Sequence, residues 1–131
     1  MLDNIKNRRS IRGYQDRAVP RELLEQLVEA GRWAPSAGNL QPCHFYIVQS
    51  RSMLKDMFEK TLSREPSWHL EAPAAIVVTT EPDISGQRYG DRGLYLYNIQ
   101  DSGAAAQSIM LAAQSLGLGT CWIGAFNESE C

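Results

Sequence analysis

The chain reads as one mixed helix-and-strand domain, and three observations carry that reading. Residues 43–49 and 74–80 are short, apolar, β-branched or aromatic runs with the length and composition of buried strands. Apolar residues recur at helical spacing over 20–34 and again over 98–116. At 131 residues the chain suits a single domain with its own core, yet is short enough that covering that core can require a partner subunit.

The elements follow in order. Residues 2–7 form a short helix, marginal unless packed. Pro20 stands where a helix begins, Leu23, Leu24, Leu27, Val28 and Gly31 give its apolar stripe, and Pro35 stops it. Residues 35–42, Pro-Ser-Ala-Gly-Asn-Leu-Gln-Pro, are small or turn-forming types between two prolines, a loop able to bring its backbone close to a flat ligand. After the strand at 43–49, Ser50 or Ser52 caps a helix with Met53, Leu54, Met57 and Phe58 inward. Residues 60–72 are polar and irregular. The run at 74–80 is apolar enough to be the middle of a sheet. Residues 81–96, with Pro82, Gly86, Gly90 and Gly93, read as a mobile loop over a site. The longest helix, 98–116, puts Ile99, Ala106, Ile109, Met110 and Ala113 on one face, and its Gly-Ala-Ala-Ala run at 103–106 admits a close neighbour. Gly117 ends it, and residues 118–123 form a third strand. Asn127 with Glu130 then has the form of a capping box, so the chain is expected to be truncated relative to its fold.

Composition removes several functions. With 13 Lys and Arg against 15 Asp and Glu, the net charge of −2 argues against a nucleic-acid or membrane coat. The cations are instead local: Lys6, Arg8, Arg9, Arg12, Arg17 and Arg21 precede residue 22, a distribution suited to a small anionic ligand. No signal-peptide pattern or membrane-length apolar run is present, which points to the cytoplasm. Three cysteines without a C-x-x-C pair signal neither a disulfide framework nor zinc, and Cys43 and Cys121 read as small core residues. His44 and His69 lack ligand spacing and read as structural, so no metal is expected. G-x-S-x-G, H-E-x-x-H and the phosphate-binding loop are absent, and the glycines at 117, 119 and 124 follow a helix where a dinucleotide fingerprint follows a strand.

What remains is residues 8–14, Arg-Arg-Ser-Ile-Arg-Gly-Tyr. Three guanidinium forks and a hydroxyl within five residues match phosphate geometry, although the heptapeptide alone fits a solvated basic arm equally well. With the loop at 35–42 and Gly-Leu-Gly-Thr-Cys-Trp-Ile-Gly at 117–124, it resembles, in order and spacing, the FMN-dependent nitroreductase family. The resemblance implies an α+β fold, a central mixed sheet flanked by helices, with FMN at an intertwined homodimer interface. It implies that Arg8, Arg9, Ser10 and Arg12 bind the phosphate, ribityl chain and pyrimidine edge of FMN. Pro35, Ser36, Ala37 and Asn39 would close on the flavin from the partner subunit, and Trp122, Ile123, Gly124 and Ala125 would approach the ring. NADH or NADPH would deliver hydride to FMN, and a nitroaromatic, quinone or related acceptor would take it away, with no catalytic side chain required. Two departures stand out: Cys43 replaces an aromatic residue after Gln-Pro, and the family's C-terminal helix, strand and cationic tail have no counterpart in these residues. The second departure leaves open a flavin-binding remnant without turnover; a basic arm contacting RNA is the remaining alternative.

Overall fold

A computed structural model of the chain describes residues 2–62 and 68–130. Its helices are α1 (Leu2–Asn7), α2 (Arg21–Arg32), α3 (Arg51–Thr61), α4 (Pro82–Tyr89) and α5 (Asn98–Ser115), and its strands are β1 (Cys43–Val48) and β2 (Ala75–Thr80). This is the α+β class.

α2 and α5 form the central seam. Leu24 and Leu27 of α2 pack with Ile109 and Ala113 of α5, and all four are buried. Each larger side chain contributes about 1.5–3 kcal/mol by leaving water. Gly31 sets how closely the layers approach, because a Cβ there would lie 2.9 Å from the Phe45 ring and 3.0 Å from the Ile109 side chain. The two strands pair antiparallel, with Phe45 opposite Val78 and Ile47 opposite Ile76. By strand alternation these four share one face, which packs on the α2–α5 seam. His44 and Tyr46 on the opposite face are exposed. A second cluster, Leu54, Phe58 and Ala72, gathers Val48, Ala75 and Ile123 around α3. Ser50 starts that helix by accepting the Met53 N–H at 3.5 Å, as capping requires.

Several sequence expectations are corrected. Residues 81–96 are not a mobile loop: Pro82 occupies the first turn of α4, and residues Gly93–Tyr97 form a π-helical turn that runs directly into α5. The glycines that suggested mobility serve close packing. A Cβ on Gly93 would collide with the Ser85 carbonyl, and one on Gly86 would lie 2.6 Å from the Leu94 side chain. The expected strand at 118–123 is reduced to one parallel bridge between Ser10 and Thr120. β2 is hydrogen-bonded to β1 alone among the described residues, so it is an edge of this sheet and not its middle. It borders a groove of about 1110 Å³ whose walls include Tyr14, Val19, Phe58, Met110 and Ile123. Met53 and Ile99 are exposed, at 60% and 63%, because each lies just outside the buried arc of its helix. Cys43 and Cys121 are only partly buried, at a strand start and on the groove wall. The capping pattern at 127–130 yields a single 3-10 turn, Glu128–Glu130, with Asn127 accepting the Ser129 N–H. Within 60–72, residues 63–67 lie outside the described residues, and Trp68–Glu71 is a 3-10 turn. Among the described residues no helix is long and apolar enough to cross a membrane.

The Gly93 contact gives the first prediction. Gly93→Ala drives a methyl group into backbone and should cost about 2 kcal/mol or more, read as a lowered urea midpoint at unchanged slope. An unchanged midpoint would contradict the close apposition of α4 and the π turn.

Candidate active site

The basic segment is anchored at both ends. Asn4 on α1 donates its amide N–H to the Leu111 carbonyl of α5 at 2.6 Å. Ser10 then bridges Thr120, and the Ile11 N–H donates to the Thr120 carbonyl at 2.9 Å. Gly119 permits this approach, since a Cβ there would sit 3.0 Å from the Ile11 side chain. The structure therefore joins Arg8, Arg9, Ser10 and Arg12 to the segment that continues into Trp122, Ile123, Gly124 and Ala125. Arg8 is partly buried, Arg9, Ser10 and Arg12 are exposed, and the Arg9 guanidinium donates to the carbonyls of Lys6 and Arg8. Neither Arg8 nor Arg9 has a carboxylate partner among the described residues. Beside them the Tyr14 phenol is pushed up to about 12, chiefly by burial and then by Cys121, with Arg12 acting in the opposite direction.

The loop carrying Pro35, Ser36, Ala37 and Asn39 is positioned separately. Gly38, Asn39 and Gln41 all take the left-handed conformation, with φ of 59°, 56° and 52°. For Asn39 and Gln41 that conformation costs about 1–2 kcal/mol each, so other contacts must hold it. The Ser36 hydroxyl accepts the Gln41 N–H at 2.9 Å, and Pro42 is fully buried. The decisive contact comes from α5: both carboxylate oxygens of Asp101 accept the Ala37 N–H, at 3.0 and 3.2 Å. Two residues on, Trp122 lies over Gly103, its ring 3.8 Å from where a Cβ would be. Two residues correspond to about 200° around a helix, so the loop and Trp122 are held on different sides of α5.

Three co-linear motifs held in this way on one α+β framework can be compared with known proteins. The nitroreductase family model matches residues 5–69 and 64–131. The chain belongs to the nitroreductase family. It is 41% identical over 129 residues to a protein of Archaeoglobus fulgidus provisionally named an NADH dehydrogenase/NAD(P)H nitroreductase, covering 98% of this chain and 70% of that one. It is 32% identical to an FMN reductase [NAD(P)H] of Bacillus subtilis, over 95% of this chain and 54% of that protein. A provisionally assigned nitroreductase from Desulfovibrio desulfuricans, solved in complex with FMN, superposes with a TM-score of 0.78 at 34% identity, over 94% of this chain and 67% of that one. The chain thus spans roughly half to 70% of the length of these relatives.

Within this nitroreductase chain the most informative residue is one that motif reading passed over. Asp101 is 7% exposed and has no cationic partner among the described residues. A lone acid immediately before the small-residue run Ser102 to Ala106 was the available signal. It also acts on Cys43, whose thiol is pushed up by burial first and by the Asp101 charge second, which disfavours the thiolate. Exposed His44 meets the Glu81 carboxylate at 3.3 Å, and buried His69 packs edge-on against Phe58, ring centres 5.3 Å apart. Among the described residues no cluster of three or more acidic, His or Cys side chains could hold a metal.

Two outcomes are expected. Asp101→Ala should cost about 1–3 kcal/mol and expose residues 35–42 to proteolysis, whereas Asp101→Asn, which keeps an acceptor, should lose less. Tyr14 binds its proton more tightly when folded, so stability attributable to it is intact below pH 10 and falls as pH rises toward 12. Tyr14→Phe should flatten that alkaline decline in denaturation curves taken across this range.

Proposed function

We propose that this chain is an FMN-dependent oxidoreductase that passes hydride from NADH or NADPH to a nitroaromatic, quinone or related acceptor, acting as a homodimer in the cytoplasm. The observation that carries the reading is the Ser10–Thr120 bridge, which brings a guanidinium cluster and the segment leading to Gly124 onto one side of α5. These residues fit FMN: Arg8 and Arg9, without carboxylate partners among the described residues, offer planar donors to a dianionic phosphate. Bound flavin would supply the hydride acceptor and donor of the cycle. The protein's part is to hold and polarise. Arg8, Arg9, Ser10 and Arg12 would neutralise the phosphate and the pyrimidine edge, and Trp122, Ile123, Gly124 and Ala125 would line the ring with backbone and one indole. A guanidinium near the edge where negative charge develops favours reduction, so no general acid or base is needed for the hydride step.

The separation of the loop across α5 supports two copies per site. Pro35, Ser36, Ala37 and Asn39 would complete the cradle of the partner subunit, leaving one ring face for nicotinamide or the acceptor. The second reading is a flavin-binding protein without turnover, since residues that hold a flavin do not by themselves supply turnover.

The test is a visible spectrum of purified protein followed by NAD(P)H consumption with a quinone. Bound flavin with turnover is expected, bound flavin without turnover selects the second reading, and a protein that cannot be reconstituted with FMN overturns both. A charge-assisted hydrogen bond contributes about 1.5–3 kcal/mol, so Arg8→Gln should weaken FMN affinity roughly tenfold to a hundredfold in equilibrium dialysis.

A further inference from the structure

α4 and the π turn present a cationic and aromatic cluster beside the loop at 35–42. The Arg88 guanidinium lies over the Tyr89 ring, 5.5 Å from its centre, and that of Arg92 lies over Tyr97 at 5.3 Å. The two rings meet edge to face, 5.2 Å apart, and the Arg92 Nε–H donates to the Tyr97 hydroxyl at 2.9 Å. Tyr89 and Arg88 also pack on the loop, since a Cβ at Gly38 would collide with the Tyr89 hydroxyl and lie 3.1 Å from the Arg88 guanidinium. Both arginines are exposed, and neither has a carboxylate partner among the described residues although Asp83 and Asp91 are close in sequence.

Two cations left without anions and stacked on adjacent rings form a charged surface with little side-chain freedom to lose on binding. The backbone beneath is specialised as well. π-helical turns occur disproportionately at functional sites, and this one is flanked by buried Ser85 and Asn98 side-chain oxygens that lack hydrogen-bond partners among the described residues. A chain that merely needed a solvated surface here would have no use for such packing.

We propose that Arg88 and Arg92, with Tyr89 and Tyr97, form a subsite for the diphosphate portion of the reduced nicotinamide dinucleotide. This rests on the reading of the chain as an NAD(P)H oxidoreductase. Guanidinium forks suit phosphate oxygens, and the tyrosine faces suit a purine. Contact with the loop at Gly38 places the subsite at the rim of the cradle that the loop helps to build, where the distal half of a dinucleotide would extend once its nicotinamide lies on the flavin.

The test compares wild type with Arg88→Gln, Arg92→Gln and the double variant. Flavin content is read from the visible spectrum. KM and kcat are measured with a quinone, using NADH, NADPH and the uncharged donor 1-benzyl-1,4-dihydronicotinamide, and ADP-ribose binding is titrated by calorimetry. The double variant should keep its flavin and its kinetics with the uncharged donor, raise KM for both dinucleotides about tenfold to a hundredfold at little change in kcat, and weaken ADP-ribose binding to match. Dinucleotide KM and ADP-ribose affinity within about twofold of wild type overturn the proposal. So does an equal loss with the uncharged donor, which marks a structural effect, and so does a rise in KM confined to an anionic acceptor such as 4-nitrobenzoate. If the wild-type protein cannot bind FMN, the oxidoreductase reading fails by itself, and the ADP-ribose titration still decides this subsite.

Discussion

A buried carboxylate satisfied by one backbone amide is the constraint on which the site's arrangement depends. Asp101 gives both oxygens to the Ala37 N–H from a helix in which it is the one formally charged residue. Burying a charge is costly unless it is hydrogen-bonded, and removing either partner leaves the other unsatisfied. The contact therefore holds two things together: the buried Asp101 side chain and the left-handed loop. It also fixes where α5 stands relative to that loop, and α5 in turn underlies Trp122 and receives α1 through Asn4.

The division of motifs around α5 places two candidate surfaces on different sides of one helix. The arginine segment and the stretch after Thr120 are neighbours because of one bridge and one glycine, a short-range solution needing little of the core. The loop is a separate construction, strained locally and tied elsewhere. Under the proposed homodimer, two partial surfaces on opposite flanks of one helix would let each copy supply what the other's site needs.

Much of this was legible beforehand, for identifiable reasons. α2, β1, α3, β2 and α5 follow from apolar patterning, helped by Pro20 and Ser50 at the starts of α2 and α3, all local signals. The family motifs nominated the candidate residues because their residue types suit phosphate and flavin chemistry, the roles proposed for them above. What escaped were non-local choices. Gly86 and Gly93 look like flexibility in one dimension and act as contact surfaces in three, so residues 81–96 were misread. Residues 118–123 have strand composition, but a strand also needs a partner along its length, and only Ser10 supplies one. Asp101 escaped because a single acid on a helix is usually solvated, and its partner is 64 residues away.

The close apposition of Ser85 and Gly93 changes what kind of surface residues 82–97 provide. A lid must order itself on its ligand, which slows association and adds an entropic cost to every binding event. A helix and π turn already in backbone contact have no such transition to make. Under the proposed subsite, a ligand would meet a helix and turn that are already packed, so discrimination would fall to charge and ring geometry present beforehand, and association should proceed in one kinetic phase.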